Sequence, residues 1–288
     1  MMRATVWFIL SLVLFWIAFM ILLISLASLS KAEDRISVLT LNIAGLPSAF
    51  TEQDRPEKRM AAIANQSNYW DIVVYQEDFY HTHYLRNHST FTHRIEGVSQ
   101  HNFGYIWSWL SKSGLTFQTN WEVLSSGFQA FSECHGYLRY SNDCWVPKGI
   151  LCNRVLSPTN IIIDVCTTHF DAGQSSGDQR ARSTQIKEYL DFLPEAPKDL
   201  PWLRIEAGDY NLYPDSPEVQ GLFQGRRILS QDSQREKTVD YIVVETQDLE
   251  LEIEFVGRVP VFDGLSDHPA VGTILHLREI HTRPRVLY

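Results

Sequence analysis

From Ile36 onward the chain alternates short runs rich in β-branched and aromatic residues with stretches whose apolar positions recur every three or four residues. The runs at residues 36–42, 71–75, 148–155, 161–168, 202–207, 240–244 and 271–277 predict strands, and several are apolar throughout, as strands covered on both faces must be. Residues 57–67 and 179–192 predict helices, the second behind a Ser-Ser-Gly-Asp segment at 175–178 that can cap it. Such alternation is the signature of layered α/β packing. Residues 81–131, rich in His, Trp, Phe and Gly, give no clean period and are predicted to form long loops with short strands.

The pattern ahead of Ile36 is of another kind. Residues 6–29 are an almost unbroken apolar run of 24 residues without one charged side chain, between Arg3 and Lys31. A signal-peptide core needs only roughly 7–15 apolar residues, while a membrane span needs about 20. Small residues at Ser28, Ser30 and Ala32 also offer cleavage positions. Residues 1–32 are therefore expected to be a signal peptide or a transmembrane signal anchor, and residues 33–288 one large domain. With Arg3 on the cytoplasmic side the remainder faces outward, so the chain is expected to be exported, either membrane-anchored or secreted.

Composition adds little to this frame and charge adds more. Hydrophobic residues make up 44% and charged residues 20%, ordinary for a folded domain, while the formal charge of −9 offers no basic face for a nucleic-acid backbone. That lowers a nuclease reading without removing it, because a bound divalent ion supplies positive charge that no residue count contains. Four cysteines fit an exported protein with one or two disulfides. Cys152 and Cys166 could face each other across a hairpin turning at residues 157–160, or they could be buried free thiols. Two N-glycosylation sequons begin at Asn65 and Asn87, meaningful only in a eukaryotic host.

The chemistry lies where the strands end. Asn42 ends the first, Gln76-Glu77 the second, Thr168-His169 another; Gly208-Asp209-Tyr210-Asn211 follows the next, and Asp267-His268 leads into the last. Strand ends on one edge of a sheet converge in space, which is where α/β folds place their sites. Singly, each residue has a structural explanation as a turn or solvated end. Together they supply hard oxygen ligands suited to Mg2+ with general-base and electrophilic groups.

In order and spacing, Leu39-Thr40-Leu41-Asn42, Gln76-Glu77, Thr168-His169, Gly208-Asp209-Tyr210-Asn211, Asp240-Tyr241 and Ser266-Asp267-His268 resemble the motif series of the endonuclease/exonuclease/phosphatase superfamily. Asp143-Cys144-Trp145-Val146-Pro147-Lys148-Gly149, with Asn42 followed by Gly45-Leu46-Pro47, is most similar to its neutral sphingomyelinase branch. The resemblance implies a four-layer α/β sandwich, two packed mixed sheets flanked by helices as in DNase I. It implies a Mg2+-dependent phosphodiesterase, with Mn2+ or another divalent ion as substitute, releasing phosphocholine and ceramide from sphingomyelin or a related phospholipid. Glu77 would be the principal metal ligand, with Asn42 beside it and Asp267 on the metal side. His268 would be the general base, oriented by Asp240; His169 and Asn211 would donate to the phosphoryl oxygens, and Asp209 would position the water or assist the leaving alkoxide. Asp143, Lys148 and Arg182 would serve the substrate side, Arg182 by reaching a phosphate oxygen or by pairing with a carboxylate to hold its loop. The expected partner is a membrane phospholipid, and the expected assembly a monomer.

The sequence departs from the bacterial members of that branch just before Ser266-Asp267-His268, where residues 250–264 leave little room for a long membrane-dipping hairpin. An uncleaved anchor could replace it, and Trp107, Trp109 and Leu110 are another candidate interfacial patch. A secreted DNase I-like nuclease remains the alternative enzyme. A non-catalytic exported binding module is the third reading, opposed by the presence of Glu77, Asp209 and His268 together.

Overall fold

The computed structural model describes residue 16 and residues 34–47, 55–98, 112–137, 143–198, 200–229 and 239–280. Apart from residue 16, the apolar segment 6–29 lies outside them, as do Trp107, Trp109 and Leu110. Among the described residues no helix is long and apolar enough to cross a membrane.

Among the described residues, twelve strands form two six-stranded mixed sheets. One holds β11 (Leu249–Arg258), β12 (Val271–Glu279), β1 (Asp34–Asn42), β2 (Ile72–Gln76), β4 (Lys112–Thr119) and β3 (His93–Val98), in that spatial order. The other holds β5 (Glu122–Ala130), β6 (Gly149–Leu156), β7 (Ile162–Thr168), β8 (Trp202–Asp209), β10 (Asp240–Gln247) and β9 (Arg227–Ile228). Each sheet has one parallel pair near its middle, β1 with β2 and β7 with β8, and the other pairings are antiparallel.

Period-two alternation along each strand produces the layers. On β1, Ile36 and Val38 enter the central cluster with Ile72, Val74, Val165, Ile205 and Ile242, while Leu39 and Leu41 face a second cluster with Met60, Ile63 and Leu85. Met60 and Ile63 lie on α1 (Pro56–Ser67) and Leu85 on α2 (Thr82–His88), so these helices cover the first sheet. On the second sheet Cys166, Tyr241 and Val243 face outward onto Tyr189 of α3 (Ser176–Phe192) and Val219 and Leu222 of α4 (Pro217–Leu222). Three apolar interfaces separate four layers, as expected. Each Ile, Val or Leu so withdrawn from water contributes about 1.5–3 kcal/mol.

Several sequence expectations need correction. Residues 81–131 contain α2 and three full strands rather than long loops with short strands. β4 carries a left-handed glycine, Gly114 at φ +75°, and β5 is an edge strand with Ser125, Ser126 and Gly127 at its centre, which erases the alternation that pattern-reading needs. Residues 250–256 belong to β11, in which Leu249, Leu251 and Ile253 pack inward between outward glutamates. α3 starts three residues earlier than expected, behind a capping box in which Ser175 accepts from the Asp178 amide and Asp178 accepts from the Ser175 amide.

All four cysteines are paired. Cys152 and Cys166 are opposed residues of β6 and β7, joined across the hairpin that turns at residues 157–160, and Cys134 pairs with Cys144. Closing a loop of 14 residues stabilises by about 3 kcal/mol through the unfolded chain. Two such bonds fit a chain that folds in an oxidising compartment.

Candidate active site

The inward rows of both sheets turn from apolar to polar at the same end. Ile36-x-Val38-x-Thr40-x-Asn42 on β1, Ile72-x-Val74-x-Gln76 on β2, and Leu203-x-Ile205-x-Ala207-x-Asp209 on β8 run the same course. Ile163-x-Val165-x-Thr167 on β7 continues to His169, which bridges to Asp209 beyond the strand. The two sheets are stitched there by side chains: Gln76 Nε2 donates to Thr167 Oγ1 at 2.9 Å, and Asn42 Nδ2 donates to Asp209 Oδ2 at 3.1 Å. At Gly208 an added Cβ would lie 2.4 Å from the Thr168 carbonyl, so only glycine lets β7 and β8 approach here.

Asn42 is the hub. Its amide nitrogen also donates to Glu77 Oε1 at 3.0 Å, and its Oδ1 accepts from the Ala44 amide at 3.0 Å. Because Ala44 requires an acceptor, the amide is oriented with nitrogen toward the two carboxylates. Asn42 therefore spaces Glu77 and Asp209, and its oxygen is already engaged; the expected ligand oxygen faces away from them. Three residues of this neighbourhood hold left-handed backbone: Ala44 at φ +46°, Glu77 at +58° and Asn211 at +49°. Such conformations cost about 1–3 kcal/mol each and persist only where surrounding contacts enforce them. For Glu77 the enforcement is visible, since Gly45 N donates to the Glu77 carbonyl at 3.0 Å and Tyr80 N to the Gly45 carbonyl at 3.0 Å.

Gly45 is confined by the same contact. A Cβ there would sit 2.4 Å from the Glu77 carbonyl oxygen, a backbone atom that cannot swing aside. Gly45→Ala is expected to displace Glu77 and lower turnover by about 10²-fold, as misplacement of a reacting group by an ångström does. A Gly45→Ala protein with wild-type turnover would show that the position of Glu77 is not critical.

Across the site, His268 Nδ1 lies 2.9 Å from Asp240 Oδ2, and its Nε2 lies 3.7 Å from Asp209 Oδ2. Asp209, Asp240 and His268 thus form a compact group of possible ligand atoms. Burial pushes the Asp209 carboxyl up, the Asp240 charge adds to it, and the result is about 6 despite His268, Asn42 and Lys148. For His268, burial opposes the charged ring, but the Asp240 hydrogen bond and the carboxylates of Asp240, Asp209 and Asp267 outweigh it, and the imidazole is pushed up to about 10. The sign follows: a histidine whose folded pKa exceeds its ordinary value near 6.5 stabilises the native state fully below that value, and the contribution is lost as pH rises through about 10. In metal-free protein the His268 ring resonances are expected to titrate near 10 by NMR and to move to lower pH when Mg2+ is added. A ring that titrates at 6.5 in both states would contradict this electrostatic picture.

His169 and Lys148 make the third side. Lys148, 6% exposed, pairs with Asp143, donates to the Phe170 carbonyl at 2.8 Å and lies 3.1 Å from His169 Nε2. Burial lowers its pKa, but Asp143 and Asp171 more than compensate and hold it charged. An ammonium can only donate, so His169 Nε2 accepts and the ring proton resides on Nδ1, which is buried without a hydrogen-bond partner. Burial, with Lys148 and His268 nearby, holds the His169 pKa well below the usual value, so the ring is neutral. In this arrangement His169 Nε2 is an acceptor, and Lys148 contributes its positive charge, its three protons being engaged by Asp143, the Phe170 carbonyl and His169. Asn211 Nδ2 donates to the Phe170 carbonyl at 2.9 Å and its backbone N to Asp209 Oδ1 at 3.0 Å.

Arg182 stands behind the site, and Asp267 at its exposed edge, close enough to raise the pKa of Glu77. Arg182, 1% exposed, donates Nη1 to the carbonyls of Asp171 and Gly173 at 2.9 and 2.7 Å. It braces the loop after His169, through backbone oxygens rather than the carboxylate expected. Asp267 is exposed and Ser266 Oγ reaches it at 3.2 Å, while the same hydroxyl donates to the Asn42 carbonyl at 2.6 Å. Sequence reasoning passed over Arg59 and His135. Arg59 shares the buried stripe of α1 with Met60, Ile63, Ala64 and Ser67, and a charge on an apolar stripe is a readable sign that acceptors await it. His135, whose Nδ1 lies 2.6 Å from Asp178 Oδ1, is placed by the Cys134–Cys144 loop and had no local signal.

The donor set fits a divalent cation. Glu77 is half-buried and burial raises its pKa, with Asp209 and Asp267 adding to the rise against Asn42 and Lys148. A carboxylate disfavoured in this way gains from an added positive charge, and hard oxygens suit Mg2+. Glu77 and Asp267 are the residues that would hold the ion, with Asn42 fixing Glu77.

No family model and no curated protein matches this sequence. Solved structures do match in fold. A variant of Staphylococcus aureus beta toxin with bound magnesium ions aligns at TM-score 0.62 and 17% identity, covering 83% of this chain and 99% of the toxin. Sphingomyelinase C from Streptomyces griseocarneus aligns at 0.60 and 17%, covering 84% and 99%. D. rerio TDP2 complexed with single strand DNA product aligns at 0.61 and 16%, covering 84% and 99%. The shared property is the DNase I-like sandwich.

Proposed function

We propose that this chain, a four-layer sandwich of DNase I-like fold, is an exported Mg2+-dependent phosphodiesterase that hydrolyses sphingomyelin or a related phospholipid to ceramide and phosphocholine. The observation that carries the proposal is the joining of two sets of groups by one side chain: Asn42 bridges Glu77, on the metal side, to Asp209, beside the His268–Asp240 pair. Glu77 and Asp267 would hold Mg2+, which would supply positive charge to polarise the phosphoryl group. Asp240 fixes the His268 tautomer at Nδ1, leaving Nε2 to take the proton of the attacking water. The carboxylates around that ring push its pKa up, so it has to release its proton before it can act as the base. Asp209 holds the water or protonates the leaving alkoxide, a role for which a pKa near 6 is suited. Asn211 donates to the phosphoryl oxygens as charge builds, and the Lys148 ammonium adds positive charge beside them.

Lipid over nucleic acid is supported by the formal charge of −9 and by the buried Asp143–Lys148 pair set against His169. The likeness to a DNA-bound enzyme makes the nuclease the reading to test against. The domain from residue 33 onward is assayed with Mg2+ and then EDTA on sphingomyelin vesicles and plasmid DNA. Metal-dependent phosphocholine release supports the lipid reading, and nicked DNA with intact lipid replaces it by a nuclease. In either case we place the chain outside the cytoplasm, membrane-anchored or secreted, as a monomer.

A further inference from the structure

We infer that Arg59 is a positioning residue that sets the metal side of the site, an inference that rests on the functional reading above. Arg59 stands on the buried stripe of α1 and is 5% exposed. Its Nη1 donates to the Ile43 carbonyl and, at 3.0 Å, to the Leu265 carbonyl; its Nη2 donates to the Ala44 carbonyl at 2.8 Å. Those acceptors belong to two segments far apart in sequence. Ile43 and Ala44 follow Asn42, and Leu265 precedes Ser266-Asp267-His268. One guanidinium fork therefore ties the segment that carries Asn42 to the segment that carries Asp267 and His268, and Ser266 Oγ repeats the tie by donating to the Asn42 carbonyl at 2.6 Å.

The link from Arg59 to the site runs through Ala44. That residue is held at φ +46°, which an alanine does not choose, and its amide is the donor that orients Asn42 Oδ1. With its carbonyl released, Ala44 relaxes out of the left-handed region, the amide withdraws, and Asn42 loses the orientation in which its nitrogen faces both Glu77 and Asp209. Lys cannot replace the fork, because a single ammonium cannot reach acceptors spread over a planar arc. A leucine or methionine at this position would fill the same stripe without holding any of the three carbonyls.

The test uses the full chain, with Mg2+ binding measured by isothermal titration beside melting temperature and kinetics, for Arg59→Lys and Arg59→Gln. Both variants are expected to bind Mg2+ about tenfold more weakly, the scale on which outer partners of a metal site act, and to lose kcat with little change in KM. Adding Ala44→Gly to Arg59→Lys is expected to recover part of the Mg2+ affinity, because glycine holds a positive φ without steric cost. A folded Arg59→Lys or Arg59→Gln that binds Mg2+ within twofold of wild type, whatever its melting temperature, overturns the inference alone. A wild-type chain that takes up no Mg2+ overturns the functional reading itself and this inference with it.

Discussion

Replacing His268 by alanine is expected to lower phosphodiester hydrolysis by about 10²–10⁴-fold, the contribution of a positioned general base, with the KM for substrate little changed. The ring is held by Asp240 at 2.9 Å and presents its other nitrogen toward Asp209. Asp240→Asn is the companion measurement. An amide can turn its NH2 donor to Nδ1, which favours the tautomer with the proton on Nε2 while the ring remains, and a loss of similar order is expected. The same change removes the strongest partner of the imidazolium, so the native-state stability that His268 contributes below pH 6.5 and loses through about 10 should shrink in a pH series of melting curves. Retention of more than a tenth of wild-type turnover by His268→Ala, measured on lipid or on whichever phosphodiester the wild type cleaves, would remove His268 from the role of base.

Glu77→Gln has the second large effect, and it runs in opposite directions for function and for stability. Gln keeps the length and an oxygen that can still accept from Asn42, but it carries no charge to hold a divalent cation. Mg2+ affinity is expected to fall by at least about 100-fold, beyond the range seen for outer-sphere partners, and activity at moderate Mg2+ to fall with it. In EDTA the same substitution is expected to raise the melting temperature at neutral pH. Burial, with Asp209 and Asp267 close by, raises the pKa of Glu77, which means that the ionised carboxylate destabilises the metal-free native state above that pKa. Wild type and variant should converge as Mg2+ is added back to the wild type alone. A variant that binds Mg2+ as wild type does, or melts lower than wild type in EDTA, would contradict the assignment of Glu77 as the metal carboxylate.

Much of this was legible in the chain itself, for a reason rooted in strand geometry. A side chain two positions along a strand faces the same way, so an apolar row that ends in Asn42, Gln76 or Asp209 announces both its core-facing side and the end at which polarity begins. The seven expected strands, the two expected helices, the hairpin at residues 157–160 and the layered class all follow from such local periodicity and turn chemistry. Local pattern failed where no local rule operates. β5 packs as an edge strand with serines and a glycine at its centre, and β4 crosses a left-handed glycine; each is a strand only because a neighbour pairs with it. The pairing of Cys134 with Cys144 depended in the same way on where the loop before β6 lies.

At the site the division is sharper. The sequence by itself determined which chemical groups stand at the strand ends, because each is fixed by its own strand's alternation. Which group touches which was decided only by the packing of one sheet on the other: Asn42 turning nitrogen rather than oxygen to Glu77 and Asp209, Lys148 donating to His169, Arg182 clasping carbonyls, and Arg59 reaching Leu265 across 206 positions of chain. The pKa values belong to that second category as well. His268 near 10 and Asp209 near 6 arise from burial and from carboxylates supplied by other strands, and neither burial nor a neighbour distant in sequence is encoded in the identity of the residue that titrates.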